Sequence, residues 1–146
     1  MSTDPEAILY TDGSSLGNPG PAGAGFVLEG SGDNLVERAI PLGETTVGVA
    51  EYRALIAGLS EALSRGVRRI HVYSDSEFLC RQIQGNYKVR SANIRPLYEW
   101  ACKLIGQFDS FQIEHTAREG NQRADALARQ AAEQAKQKGK DNQGAS

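Results

Sequence analysis

At 146 residues the chain fits one domain, with a core large enough to fold without disulfide or metal staples. Its 40% hydrophobic and 23% charged residues are ordinary for a globular protein, and no apolar run approaches membrane-span length. A net charge of −2 excludes a protein that coats nucleic acid by charge alone. The opening MSTDPEAILY carries acids and no basic secretory run, and Cys80 and Cys102 lack metal-type spacing. A monomeric, cytoplasmic protein with reduced thiols and no membrane partner is therefore expected.

Residues 7–12 read as a buried strand that ends in Asp12 and runs into the turn-rich GSSLGNPG. AGAGFVLEG and NLVERAIPL read as two further strands, joined by EGSGDN into a hairpin. From about Ala50 to Arg65, Tyr52, Leu55, Ile56, Leu59, Ala62 and Leu63 recur at helical spacing, and Gly66 ends the helix. RRIHVYSD is a fourth strand, ending in Asp75, and Ser74 or Ser76 is placed to cap a helix over 76–84. GNYKVRSAN is a connecting loop, followed by a helix over 94–107 and a fifth strand, SFQIEHT. A last helix begins near Asn121, with Ala124, Leu127, Ala128 and Ala131 on one face. Residues 136–146, KQKGKDNQGAS, have nothing to bury and are predicted to be a disordered tail behind a domain spanning 1–135. Three strands followed by helix–strand alternation predict an α/β protein with a mixed sheet and helices on both faces.

Two charge features carry chemistry. From Phe78 to Tyr98 there is no acid, while Arg81, Lys88, Arg90 and Arg95 all fall there, a local basic face able to meet phosphates. Among the 18 acids, Asp12 and Asp75 end strands, while Glu51 and Asp125 fall in the first turns of predicted helices. Singly, each has a plain reading as a turn former or a helix-dipole partner. Gathered at one end of an apolar sheet, they would repel one another and resist burial unless divalent cations joined them. Mg²⁺ suits such a sparse carboxylate site, and two ions can activate water and stabilise a leaving oxygen.

YTDGSSLGNPGPAG, AEYRAL, YSDSEF and REGNQRADALA resemble, in order, the four acidic motifs of type 1 ribonuclease H, over about Ala7 to Ala135. The resemblance implies a five-stranded mixed sheet, a three-strand antiparallel meander plus two parallel strands, and cleavage of the RNA strand of RNA–DNA hybrids. Asp12, Glu51, Asp75 and Asp125 fall on the family's catalytic acids, which hold two Mg²⁺ or Mn²⁺ ions, and the expected products carry 5′-phosphate and 3′-hydroxyl ends. Gly13 and Ser14 are expected to approach the RNA minor groove, where 2′-hydroxyls are displayed. Asn18 matches a groove-contacting asparagine, and Thr46 and Asn93 match positions that hold a DNA-strand phosphate. All three are also reasonable turn or cap residues.

The chain departs from the family pattern in several places. Val47 and Gly48 stand where asparagines are common, so side-chain bonds to the hybrid are lost there, leaving backbone groups. Glu77 stands for a common glutamine; it can accept a 2′-hydroxyl bond but repels phosphates. Aligning NQRAD without a gap brings His115 to the family's loop histidine. The alternation of Phe111, Ile113 and His115 instead places it in the fifth strand, which makes Arg118 the expected substitute. Arginine cannot serve as a base, so its role would be electrostatic. The basic, tryptophan-bearing insertion of some members is missing: Trp100 is expected in the core, Lys88 and Arg90 remain as phosphate contacts, and weak substrate binding is expected. The alternatives are a related nuclease preferring another duplex, such as double-stranded RNA, or a catalytically silent hybrid-binding module.

Overall fold

The computed structural model describes residues 4–30 and 34–144. Its elements are β1 (Ala7–Ser15), β2 (Gly20–Glu29), β3 (Leu35–Thr45), α1 (Val47–Ser64) and β4 (Arg69–Ser74). They are followed by α2 (Glu77–Ile83), α3 (Arg95–Ile105), β5 (Ser110–His115), a 3-10 turn (Arg118–Asn121) and α4 (Gln122–Gly144). The sheet order is β3-β2-β1-β4-β5. β1, β2 and β3 form the antiparallel meander, and β4 lies parallel to both β1 and β5. The predicted mixed five-stranded sheet is therefore the observed one. Part of the EGSGDN turn, residues 31–33, and the last two tail residues lie outside the described residues.

β4 alternates buried and half-buried residues, whereas β2, covered on both faces, is buried along most of its length. Leu9, Phe26, Ile70 and Val72 form a core with Leu55 and Leu59 of α1 and Leu79 of α2. Truncating one of these large side chains to Ala typically costs ~2–5 kcal/mol. On the opposite face, α4 presents Ala124, Leu127, Ala128, Ala131, Ala132 and Ala135, all buried. Small residues on β2 let that helix come close: a Cβ at Gly25 would lie 2.5 Å from the Ala128 nitrogen. One at Gly23 would lie 2.4 Å from the Ala132 nitrogen.

Several boundaries differ from the sequence-based expectation. β1 continues past Asp12 to Ser15, because Ser14 and Ser15 still pair with Gly23 and Ala22 of β2. α1 starts at Val47 rather than Ala50: the Thr46 hydroxyl caps it, accepting from the Val49 N–H at 3.3 Å. Glu51 consequently sits past the first turn. α4 runs to Gly144, where a disordered tail from residue 136 was predicted. Residues 136–140 are exposed, but straight-chain residues such as Lys136, Gln137, Lys138 and Lys140 are good helix formers and carry the spiral on. Trp100, expected in the core, is 45% exposed on α3, with the Arg53 guanidinium 5.9 Å from its ring centre. Cys80 is buried on α2, Cys102 is exposed on α3, and both are free thiols. Among the described residues no helix is long and apolar enough to cross a membrane.

Candidate active site

Three backbone relations bring the four predicted acids to one place. Thr11 of β1 pairs with Ser74 of β4, so the next residues along the two parallel strands, Asp12 and Asp75, lie side by side. Asp12 pairs with Gly25, where β2 touches α4 beside Ala124 and Ala128, so Asp125 reaches the same level from that face. Gly13 points to the other face and touches α1: a Cβ there would lie 2.3 Å from the Glu51 nitrogen. The backbone of Glu51 is thereby held against Gly13 from the opposite helix, and its carboxyl lies near Asp75.

The electrostatics follow from this crowding. Asp12 is only 6% exposed, its Oδ1 accepts from the Gly13 N–H at 3.0 Å, and the Asp125 and Asp75 carboxyls are its charged neighbours. Burial first, and then these two neighbours, push its pKa up to about 9. Burial also raises Glu51 to about 7; the Ser76 hydroxyl, donating to its Oε2 at 2.7 Å, opposes that shift, and the charge of Asp75 adds to it. Ser76 is the α2 N-cap as well, accepting from the Leu79 N–H at 3.2 Å, so one serine ties α2 to Glu51. Of the two predicted cap candidates, Ser76 caps; the Ser74 hydroxyl accepts from the Ser76 N–H at 3.1 Å.

Two arginines border the acids. Arg118 Nε is 4.0 Å from Asp75 Oδ2, which places the predicted loop arginine at the cluster. Arg129, one turn along α4, stands 3.2 Å from Asp125 Oδ2 and was missed by the sequence reading, although its i,i+4 spacing to Asp125 was a readable signal. Asn121 was also missed as a site residue. It is 1% exposed, and its amide donates to the Thr11 carbonyl at 2.9 Å, pinning the start of α4 behind Asp12. Among the described residues no three His, Cys, Asp or Glu side chains stand as a closed metal-ligand group. The carboxyls are instead partnered by Ser76 for Glu51, Arg118 for Asp75 and Arg129 for Asp125. An all-oxygen, mutually repelling donor set of Asp12, Glu51, Asp75 and Asp125 is nevertheless the chemistry that hard divalent cations stabilise.

The remaining predicted positions divide. Asn18 is exposed, and its Oδ1 accepts from the Val47 N–H at 3.1 Å, tying the LGNPG loop to the start of α1. That bond engages the Val47 N–H, the backbone group expected to replace the missing side-chain contact. Thr46 is half-buried in its capping role, and Ser14 is half-buried on β1. Gly13 is buried beneath α1, where its missing side chain sets the strand–helix distance. Asn93 is exposed in a turn and caps nothing, since α3 has no side-chain cap. Glu77 is exposed at the start of α2, with Arg81 Nε 3.7 Å away. Lys88 and Arg90 are exposed on the α2–α3 connection, and His115 ends β5 as its alternation predicted.

Residues 10–131 match the family model described as reverse transcriptase-like. A ribonuclease HI of Halobacterium salinarum is 39% identical over 127 residues, 86% of this chain and 64% of that protein. The crystal structure of ribonuclease H1 from that archaeon superposes with a TM-score of 0.82 at 37% identity, covering 88% of this chain and 98% of that one. A bifunctional protein of Mycobacterium tuberculosis is 38% identical over 134 residues, 90% of this chain but 37% of that protein. Its N-terminal ribonuclease H domain, solved as a fusion with maltose-binding protein, gives a TM-score of 0.88 at 36% identity, covering 93% of this chain and 99% of that one. LC11 ribonuclease H1, crystallised in complex with an RNA/DNA hybrid, gives 0.81 at 36% identity, covering 88% and 98%. The chain thus spans 64% and 37% of the lengths of the haloarchaeal and mycobacterial proteins. With the sheet order, the four acids and these likenesses in agreement, the chain belongs to the type 1 ribonuclease H family.

Proposed function

We propose that the protein is a metal-dependent endoribonuclease that hydrolyses the RNA strand of RNA–DNA hybrids, leaving 5′-phosphate and 3′-hydroxyl ends. The observation that carries this reading is the buried contact of Asp12 with Asp75 and Asp125, with Glu51 arriving from the opposite helix. The hybrid-bound LC11 relative, 36% identical, supports the choice of substrate. Asp12, Glu51, Asp75 and Asp125 are the residues that would hold two Mg²⁺ (or Mn²⁺) ions, which when bound supply an activated water and stabilise the leaving oxygen.

The chain's own residues prepare that site. Burial raises the pKa of Asp12 beside Asp75 and Asp125, and Ser76 orients Glu51 by donating to one of its oxygens. The strand pairing Thr11–Ser74 fixes the spacing of Asp12 and Asp75 before substrate arrives, so little is reorganised during the reaction. Arg118 brings a permanent positive charge to the Asp75 side and attracts the phosphate without acting as a base. Asn18 and Thr46 hold the loop and the helix start as one surface, and Lys88 and Arg90 offer charge to the DNA strand.

The test is cleavage of end-labelled RNA–DNA hybrid, double-stranded RNA and double-stranded DNA, with product ends mapped. Cutting of RNA in the hybrid alone, with 5′-phosphate products, is expected. Equal cutting of double-stranded RNA would favour a different duplex as substrate, and hybrid binding without cutting would favour a binding module.

A further inference from the structure

The end of α4 plays no part in the chemistry proposed for the acids, yet it borders a groove continuous with the Asn18 loop and Thr46. α4 runs along β2 from Gly25, beside Ala128, to Gly23, beside Ala132, and so toward Pro21. Its axis therefore leads away from Asp125 toward the LGNPG loop. Beyond the buried Ala135, the exposed Lys136, Lys138 and Lys140 line one side of a groove of about 560 Å³. Pro21, Gly43 and Glu44 stand on its other side, and Glu44 is the one acid among its lining residues.

That second wall is continuous with both segments expected to meet substrate. Pro21 follows the loop that carries Asn18, Glu44 leads into Thr46, and the two pair directly, as Gly20 does with Thr45. A duplex crossing the carboxylates and the Asn18–Thr46 surface would next meet the lysines. At ~1.5 Å per helical residue they lie roughly 16–22 Å along the axis from Asp125. Nucleic acid advances ~3.4 Å per step, so that distance is about five or six base pairs.

We propose that the C-terminal end of α4, through Lys136, Lys138 and Lys140, is a second phosphate-binding strip that grips the backbone of a long RNA–DNA hybrid. The inference rests on the hybrid-nuclease reading and adds a contact outside the acidic motifs. It gives a protein of net charge −2 with a short basic loop a further source of substrate affinity. Ammonium groups on an exposed helix meet phosphates as point charges, so the contact is indifferent to sequence and sensitive to salt.

The experiment compares the wild type, K136Q/K138Q/K140Q and the charge-keeping K136R/K138R/K140R on a long hybrid of about 24 base pairs and a short one of about six, across a KCl series. On the long hybrid the glutamine variant should raise KM about tenfold, and its log–log salt slope should fall by up to about 2.7, or ~0.9 per phosphate contact. The KM increase should be confined to the long hybrid, and the arginine variant should keep the wild-type slope. An unchanged KM and slope on the long hybrid, with the wild type cleaving normally, would overturn the inference, as would an equal KM increase on both lengths. A wild type that cleaves no hybrid would instead overturn the nuclease reading itself.

Discussion

Gly13 and Asn121 act at the residue scale through the packing and bonding that hold the site's backbone. A methyl group at Gly13 would overlap the backbone of Ala50 and Glu51, which cannot yield as a flexible side chain would. Gly13→Ala should therefore destabilise the fold by about 2–3 kcal/mol, an overpacking cost, and push Glu51 from Asp12. Thermal melting and cleavage should fall together. Asn121→Ala should cost ~0.5–1.5 kcal/mol by removing its buried hydrogen bond to the Thr11 carbonyl, as read by denaturant unfolding. The identity of the acids was legible because each motif is local and dense in unusual residues. Asn121 was not, since its partner is 110 residues away and no periodicity links them. Trp100 misled for a related reason: helical spacing says which residues share a face, not which face is covered.

Elements position the acids through their ends. α1 starts where Thr46 and Asn18 satisfy otherwise unpaired N–H groups, and this junction carries Glu51. Thr46→Ala should cost about 1 kcal/mol, the usual penalty for losing an N-cap, measurable as a lowered denaturation midpoint. Ser76→Ala should cost a similar amount at α2 and also free Glu51, so activity should fall more than stability does. The order of strands and helices was legible because periods of 2 and 3.6 are local properties. Boundaries were less so. Ser14 and Ser15 lack strand character and are held in β1 by pairing with β2. Residues 136–140 of α4 are exposed but keep helix propensity.

For the whole molecule, the convergence of four carboxylates is a product of topology. α1 connects β3 to β4, and β4 then lies beside β1, which joins Asp12 to Asp75 across 63 residues of sequence. Spacing permitted that meeting and did not require it; strand order decides it. The meeting has a cost that pH should reveal. Asp12 titrates near 3.8 when unfolded and near 9 when folded, and Glu51 is raised to about 7, so the native metal-free state binds more protons than the unfolded one. The associated stability is present below about pH 4 and is lost as pH rises toward 9. In chelator, the melting temperature should fall across that window. Asp12→Asn should flatten the fall and melt above wild type at pH 8, because it removes the proton uptake that burying this carboxyl requires. A flat wild-type profile would contradict the buried-cluster account.

The most direct measurement is cleavage of a labelled RNA–DNA hybrid by the wild type, Asp12→Asn and Asp75→Asn, each with Mg²⁺, with Mn²⁺ and with chelator. The account predicts cutting of the RNA strand by the wild type with either metal, none in chelator, and loss of at least about a thousandfold in both variants, the scale of removing a group on which the reaction's charge rests. Cutting that survives chelation, or that persists in either variant, would contradict it.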